Sequence, residues 1–262
     1  MKPYIEICGR PLATYTIMAA LGVLVSVPLF VTLLRNKNVL RIYSRGLVFS
    51  AFGMIIGAKL FGIISFGLDC IINHRRVSLG MLCTKTGIVY YGGLFGVLVS
   101  YYLFCKYSKH PFTAITSELA VCIPLFHFFG RVGCFFTGCC YGMEWNGFFS
   151  LLYNNGKDIV RRVPTQLTEA VFELIMFASM YTLYKKGDQS VRKALLNSYL
   201  FCYALFRFII EYYRGDDIRG IYGVFSFSQY VSIVIIVSTI IMGRNKVVKI
   251  CKRKFCVRNS DT

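Results

Sequence analysis

Charged side chains are scarce in this chain. Asp, Glu, Lys and Arg make up 16% of its 262 residues, whereas soluble proteins carry about a quarter. Apolar residues account for 56% of the chain and stand in long blocks, while a soluble core would need shorter blocks broken by polar faces. This scarcity of charge excludes an ordinary soluble domain and indicates that lipid is the solvent for most of the chain.

Acidic residues are the rarer charge, with 12 Asp and Glu against 30 Lys and Arg and a net charge of +18. The basic residues are dispersed between the apolar blocks, which is typical of the positive-inside bias of bacterial membrane proteins and argues against nucleic-acid binding. We find no internal repeat, no second soluble domain and no cleavable signal peptide, because the first apolar block is too long for one. We expect a single transmembrane domain over residues 1–262 in the plasma (inner) membrane of a bacterium.

Seven apolar segments approach the length of about 20 residues that a helix needs to cross a bilayer. With the N-terminus outside, 17 Lys and Arg fall in inner segments and 11 in outer ones. This modest bias favours an outer N-terminus, an inner C-terminus and a basic cytoplasmic tail over residues 244–262. The predicted fold class is all-α, a polytopic membrane protein of about seven transmembrane helices. The segments are Thr14–Leu34, Gly46–Leu68, Gly87–Cys105, Phe112–Phe129, Gln166–Tyr184, Ala194–Glu211 and Ser226–Met242.

The sixth apolar segment carries a polar stripe that consists of Tyr203, Arg207, Glu211 and Arg214. At about 100° per residue these four side chains span an arc of roughly 80°, and Arg207 and Glu211 form an i,i+4 pair. A charge at the bilayer centre costs roughly 2.5–3.5 kcal/mol, so such a stripe calls for a purpose. Because arginine binds phosphate through paired hydrogen bonds, the stripe indicates a lipid-headgroup site. The alternative is an ion pair that only locks helix packing.

The fifth segment places Gln166, Glu169 and Glu173 on one face, within about 60°. Acids in an apolar helix should face the bundle interior, where they either act in catalysis or serve as counter-ions for arginines on neighbouring helices. Lys59 lies inside the second segment and either faces the bundle or extends to an interface.

The segment Gly130–Gly142 is rich in glycine, and we expect its backbone to bend there. Its amide groups could line an anion site, and Arg131 supplies the charge. Cys134, Cys139 and Cys140 invite a metal site or a disulfide, but three cysteines without a fourth ligand are weak evidence for zinc. We therefore expect no metal and no cofactor. His127 precedes this segment by one helical turn, where we expect a hydrogen-bonded interfacial side chain.

Six segments, taken in order, resemble motifs of the prolipoprotein diacylglyceryl transferase family. Gly130-Arg-Val-Gly-Cys-Phe-Phe-Thr-Gly-Cys-Cys-Tyr-Gly142 is similar to G-R-x-G-N-F-x-N-G-E-x-x-G. Tyr90-Tyr-Gly-Gly-Leu94 is similar to F-H-G-G-L, and Gly57-Ala-Lys-Leu60 to G-A-R-x. Pro164-Thr-Gln-Leu-Thr-Glu-Ala170 resembles P-S-Q-L-Y-E-A, and the stripe from Tyr203 to Arg214 resembles Y-x3-R-F-x2-E-x2-R. Tyr15 and Gly22 stand where the first helix of the family has a tyrosine and a glycine.

The resemblance implies a transferase at the outer leaflet. It would move the diacylglyceryl group of phosphatidylglycerol, or a similar anionic phospholipid, to the lipobox cysteine of a prolipoprotein signal peptide and release glycerol phosphate. The implied catalytic residues are Arg131 and Arg207 as a phosphate clamp, Glu211 orienting Arg207, and Tyr91 at the position of the family's acid/base. The implied substrate-binding residues are Tyr15, Lys59, Gly92, Gly93, Gly133, Gly138, Gly142, Gln166, Glu169, Tyr203 and Arg214.

The chain also departs from these motifs. Cys134, Thr137 and Cys139 replace Asn, Asn and Glu of the signature, Tyr91 replaces His, and Lys59 replaces Arg. A free tyrosine has a pKa of about 10 and is a poor base at neutral pH, so either the nearby arginines lower that pKa or they assist the thiol directly. The substitutions leave open a related transferase with the same donor and another acceptor. A non-catalytic lipid-binding or transport protein is a further alternative.

Overall fold

The computed structural model describes residues 3–7, 10–34, 40–72, 81, 89–111, 115–154, 159–216 and 220–258. Most of these residues are helical, and one long helix occurs at each of the seven predicted segments. The helices are α1 (Thr14–Leu34), α2 (Leu40–Ile72), α3 (Tyr90–Tyr107), α4 (Thr116–Thr137), α5 (Thr165–Lys186), α6 (Gln189–Ile210) and α7 (Phe227–Arg258).

Four stretches of these helices are long and apolar enough to cross a membrane, namely Thr14–Leu34, Ser44–Ile72, Thr116–Thr137 and Gln189–Tyr213. The apolar part of α7, Phe227–Gly243, is shorter. The prediction of a mostly helical membrane protein is confirmed, while seven complete crossings and the positions of both termini stay predictions. Part of α5 is polar because it carries two buried acids, Glu169 and Glu173.

The exterior of the bundle is apolar and its interior holds polar side chains. Leu24, Ile56 and Val234 are each more than 60% exposed, whereas Glu118 and Glu173 are fully buried. Glu118 accepts a hydrogen bond from the Tyr184 hydroxyl at 3.0 Å. Exposed aliphatic side chains around a polar interior are what a lipid environment favours, because buried polar groups need partners and lipid-facing ones have none.

The fourth helix is longer than predicted. The predicted segment ended at Phe129 and was followed by a bend, but α4 continues to Thr137 and ends at Gly138 in the left-handed conformation, with φ 72°. Gly133 lies inside the helix because it permits close contact with α1, where a Cβ at this position would stand 3.2 Å from the Tyr15 ring. The predicted bend of the segment Gly130–Gly142 therefore falls in its second part, from Gly138 onward, while Gly130 and Gly133 are helical.

The all-α prediction missed three antiparallel two-stranded ribbons in the described residues. They pair β1 (Tyr4–Ile7) with β2 (Arg10–Ala13), β3 (Leu151–Asn154) with β4 (Ile159–Arg162), and β5 (Ile221–Tyr222) with β6 (Phe225–Ser226).

All three ribbons lie at one end of the bundle. One precedes α1, one joins α4 to α5 and one joins α6 to α7, and consecutive helices run in opposite directions, so these three positions fall at the same end. Backbone hydrogen bonds link two of the connections, from Met143 to Tyr213 at 2.8 Å and from Gly215 to Tyr141 at 3.1 Å. Strand pairing satisfies backbone groups that a helix no longer serves.

Helices α2 and α3 approach each other closely through glycines. A Cβ added to Gly92 would lie 2.3 Å from the carbonyl oxygen of Gly57, and one added to Gly96 would lie 2.0 Å from that of Gly53. Small residues spaced four apart allow such backbone contact between membrane helices. These contacts hold α2 and α3 together, and Tyr91 on α3 belongs to the buried core.

Candidate active site

Three helix ends meet at the ribbon end of the bundle and bring together polar residues from distant parts of the sequence. The C-terminal half of α4 contributes His127 and Arg131, and the first turns of α5 contribute Glu169. The last turns of α6 contribute Tyr203 and Arg207. All five side chains are buried. The helical spacing of the sequence places each residue on the inward face of its own helix, and the antiparallel packing makes the faces converge.

Glu169 lies between the two arginines predicted to hold phosphate. Its Oε1 stands 2.9 Å from Nη2 of Arg131, and its Oε2 stands 3.8 Å from Nη1 of Arg207. The Tyr203 hydroxyl donates a further hydrogen bond to Oε1 at 2.9 Å. One carboxylate thus fixes two guanidinium groups side by side, and removing it would leave buried positive charge without compensation.

Arg207 is held from its other side as well. Its Nη2 lies 2.8 Å from Oε2 of Glu211, one helical turn away, and 3.4 Å from the Ser228 hydroxyl of α7. The predicted pairing of Arg207 with Glu211 is confirmed as a contact. Glu211 begins a short 3-10 turn over Glu211–Tyr213, where the α-helix ends.

Arg214 departs from the predicted helical stripe, because the 3-10 turn changes the chain direction before it. Its backbone is extended and pairs with Gly142 as an isolated β-bridge. The side chain lies 3.6 Å from Oε2 of Glu211 and forms a two-point ion pair with Asp216. Burial opposes its charge, but the hydrogen bond to Asp216 and the nearby acids raise the pKa of Arg214. It therefore remains a cation at the edge of the site.

His127 connects Arg131 to a second acid. Arg131 donates from Nε to Nε2 of His127 at 3.1 Å, which leaves Nδ1 as the nitrogen that donates to Glu173 at 2.7 Å. The Tyr199 hydroxyl lies 3.3 Å from the same carboxylate. His127 is hydrogen-bonded, as predicted, but it is buried between helices. Its i,i+4 spacing to Arg131 is the sequence signal that could have predicted their contact.

Tyr91 belongs to α3 and lies beside the arginine cluster, on the side where α3 contacts α7. It is 2% exposed, and its hydroxyl is 2.7 Å from that of Ser232. Its ring packs edge-on against Tyr203 with centroids 5.6 Å apart. Tyr91 therefore contacts the residue that donates to Glu169, and lies one side chain away from the arginines.

The loop after α4 is tied to the start of α5. Gln166 donates from Nε2 to the carbonyl oxygen of Cys139 at 2.6 Å and accepts from the Tyr153 hydroxyl at 2.8 Å. Thr165 donates to the carbonyl oxygen of Cys140 at 2.9 Å. Burial raises the pKa of Tyr153 to about 12, so this hydroxyl stays a donor.

The thiols of Cys134, Cys139 and Cys140 lie beside this site, and their ligand atoms are all within 4.8 Å of one another. Cys134 is buried, Cys140 half-buried and Cys139 exposed, and all three are free thiols. Hydrogen bonds from Cys134 and Cys139, together with the charges of Arg131 and Arg214, hold the pKa of Cys140 well below its usual range against the effect of burial.

Comparison with known proteins decides the family. A family model described as prolipoprotein diacylglyceryl transferase matches residues 3–243. The chain belongs to this family.

Individual relatives agree with the family match. The chain is 29% identical over 252 residues to a protein of Clostridium tetani, covering 93% of this chain and 95% of the relative. It is 34% identical over 192 residues to one of Rickettsia akari and 32% over 197 residues to one of Rickettsia bellii, each covering about 70% of both chains. All three relatives are named phosphatidylglycerol–prolipoprotein diacylglyceryl transferase.

The diacylglyceryl transferase motifs fall into two groups in the structure. One group meets around Glu169 and the loop that follows α4, and comprises Arg131, Gln166, Glu169, Tyr203, Arg207, Glu211 and Arg214. Tyr15 flanks this group from α1, where it is 42% exposed beside Gly133. Gly138 caps α4, and Gly142 lets the loop approach Val163, whose carbonyl oxygen would be 2.3 Å from an added Cβ.

The second group lies on the interface of α2 and α3. Gly92 contacts Gly57, and Gly93 lies in ordinary contact with Met54 and Ala58. Lys59 is half-buried beside Ala58, whose carbonyl oxygen accepts a hydrogen bond from the Val89 amide at 3.2 Å. These positions support helix packing next to the site, and a role for them in substrate binding stays a prediction.

Proposed function

We propose that this protein transfers the diacylglyceryl group of phosphatidylglycerol to the lipobox cysteine of prolipoproteins at the outer leaflet of a bacterial plasma membrane. Family membership and the names of the relatives support the activity. The single observation that carries the mechanism is the pair of buried arginines, Arg131 and Arg207, held on opposite oxygens of Glu169. Two guanidinium groups fixed side by side suit a phosphodiester, which shares one negative charge between two non-bridging oxygens.

The reaction forms a carbon–sulfur bond and breaks a carbon–oxygen bond. The acceptor thiolate attacks the diacylglycerol carbon next to the phosphate, and the electron pair of the broken bond leaves with glycerol phosphate. Charge grows on the phosphate oxygens in the transition state, where preorganised donors stabilise it. Arg131 and Arg207 supply these donors, and Glu211 keeps Arg207 oriented through its 2.8 Å contact.

Tyr91 is better suited to donate a proton than to accept one. Its ordinary pKa of about 10 makes it a poor base at neutral pH. Its hydroxyl is held by Ser232 and its ring by Tyr203, so it is positioned beside the cluster and can protonate the departing phosphate. The base that forms the acceptor thiolate must then come from another group.

The lipid and the signal peptide would reach this site from the membrane, because the outer surfaces of the helices are aliphatic. Placing the ribbon end on the outer side agrees with the excess of Lys and Arg that the predicted topology assigns to the inner segments. The glycerol phosphate would then leave on the outer side.

Arginine replacement tests this mechanism. Arg131→Ala and Arg207→Ala should each lower transfer of labelled diacylglycerol to a lipobox peptide at least 10²-fold, the usual effect of losing one donor to developing charge. Arg192→Ala is the matched control, because Arg192 lies at the opposite end of the bundle over the Tyr184 ring. Unchanged turnover in both site variants would remove the arginine clamp.

A transferase with the same donor and another acceptor is the second candidate. The replacements at Tyr91, Cys134 and Cys139 favour it, because the family motif has hydrogen-bonding and possible proton-handling side chains at these positions. Complementation of a strain depleted of its own transferase, with mass spectrometry of a reporter lipoprotein, separates the two candidates. A diacylglyceryl thioether on the reporter supports the prolipoprotein acceptor. Its absence, together with lipid-dependent release of glycerol phosphate, supports the other one.

A further inference from the structure

Three thiols converge in the segment that resembles the family signature. Cys134 and Cys139 stand where that signature has an Asn and a Glu, and Cys140 stands at a variable position. Cys134 lies in the last turn of α4, and Cys139 and Cys140 follow the helix cap at Gly138. Their sulfur atoms lie within 4.8 Å of one another. The three side chains form a graded path from the protein interior to the surface, since Cys134 is buried and Cys139 is exposed.

The backbone around the thiols is held in place from several sides. The Cys139 amide donates to the carbonyl oxygen of Cys134 at 3.2 Å, and the carbonyl oxygens of Cys139 and Cys140 accept from Gln166 and Thr165. Cys140 has φ 58°, a left-handed conformation that is uncommon for a residue with a side chain. Cys140 in this conformation has its thiol within 4.8 Å of the other two.

The spacing of the sulfur atoms suits one zinc ion. Zinc binds thiolate sulfur at about 2.3 Å with tetrahedral geometry, so two sulfur ligands stand roughly 3.8 Å apart. The three thiols need only small adjustments to reach that spacing. A structural zinc site would require a fourth protein ligand, but a catalytic zinc site has three and keeps the fourth position open. Among the residues that the structure describes, the group of possible ligands consists of these three thiols, and three protein ligands with an open fourth position are what a catalytic zinc site requires.

We propose that Cys134, Cys139 and Cys140 bind one zinc ion, and that its open position takes the thiol of the acceptor cysteine. The second half of this proposal rests on the proposed transferase function. Coordination deprotonates a thiol outright, so the proton leaves to solvent and the bound thiolate attacks the lipid carbon. The carbon–oxygen electron pair departs with the phosphate held by Arg131 and Arg207. The thioether product is a weak ligand, and water replaces it.

Two features of the surroundings support this assignment. Three thiolates and a divalent ion carry one net negative charge, and Arg131 and Arg214 lie close enough to offset it. Tyr91 replaces the acid/base histidine of the family motif and Cys139 replaces its glutamate. A chain that has lost both groups needs another means of forming the thiolate, and a metal ion provides it.

Metal analysis of the purified full-length protein in detergent tests the first half. Elemental mass spectrometry should find about one zinc per chain, and Cys139→Ser and Cys140→Ala should each lower this more than tenfold while the helical content measured by circular dichroism stays unchanged. Cys202→Ser is the matched control, because Cys202 is half-buried on α6 away from the loop. Less than a tenth of a zinc per chain after reconstitution of the reduced protein would overturn the site, as would a disulfide between any two of the three cysteines.

Cobalt substitution tests the second half without relying on turnover. A lipobox peptide should change the visible spectrum of the cobalt-loaded protein, and the same peptide with Ser in place of Cys should not. An unchanged spectrum with the cysteine peptide, or full transfer by the metal-free enzyme, overturns the acceptor role while the transferase function stands. Bound metal without transfer to any lipobox peptide would instead overturn the proposed function and leave the metal site in place.

Discussion

Glu169 is the residue on which the charge balance of the site depends. Glu169→Gln would keep the size of the side chain but leave Arg131 without its carboxylate partner, while Arg207 would still contact Glu211. Breaking a buried ion pair on one side costs about 3–5 kcal/mol. We expect a clear fall in thermal unfolding temperature in detergent, together with loss of transfer.

A surface pair provides the control for that substitution. Glu144 contacts Arg162 at 2.9 Å, but its side chain is 66% exposed. Exposed pairs contribute about 0–1 kcal/mol, so Glu144→Gln should leave both stability and transfer nearly unchanged. Equal effects of the two substitutions would show that Glu169 has no special role.

Tyr91 can be tested through a single atom. Tyr91→Phe removes the hydroxyl and keeps the ring packed on Tyr203. The free energy of unfolding should therefore change by no more than about 1 kcal/mol, the usual contribution of one hydrogen bond. Loss of a general acid should lower the rate of transfer at saturating lipid about 10²-fold. Ser232→Ala removes the partner and keeps the hydroxyl, and it should retain most of the activity. If the two variants behave alike, Tyr91 only supports packing.

At the scale of elements, the contact of α2 with α3 depends on the absence of side chains. Gly92→Ala would place a methyl group 2.3 Å from a backbone oxygen of α2. The helices must separate to accept it, at a cost of about 1–3 kcal/mol for overpacking. Gly67→Ala on α2 is the control, since nothing lies within 4 Å of that position.

The measurement for this pair of variants is the unfolding temperature together with lipid affinity. We expect Gly92→Ala to be less stable than Gly67→Ala and to bind phosphatidylglycerol normally once folded. Normal stability of Gly92→Ala with weakened lipid binding would instead support the substrate-binding role that the family motif implies for Gly92.

For the whole molecule, the orientation in the membrane is the open prediction. An outer N-terminus and inner C-terminus place the ribbons and the arginine cluster on the outer side. A green fluorescent protein fused to the C-terminus of the full chain should fluoresce, and alkaline phosphatase at the same position should be inactive, because each reporter works on one side only. The reverse pattern would place the site on the cytoplasmic face and contradict the outer-leaflet reaction.

Much of the site was predictable because helical spacing is periodic. The contact of Arg207 with Glu211 follows from a spacing of four residues, and the inward direction of Glu169 follows from the cost of a charge facing lipid. The same reasoning missed the extension of α4 through Gly133, since glycine in a sequence indicates a bend or a close helix contact equally well. Only the neighbouring helix decides between the two.

The amino-acid order by itself determined that this chain is helical, belongs in a membrane and carries arginines suited to phosphate, because hydropathy and periodicity are local properties. Tertiary structure decided which groups meet. Arg131 and Arg207 are 76 positions apart in the sequence, and only helix packing places Glu169 between them. Tertiary structure also brings the thiols of Cys134, Cys139 and Cys140 together. The turn that carries them is held by hydrogen bonds from α5, which a local sequence pattern cannot show.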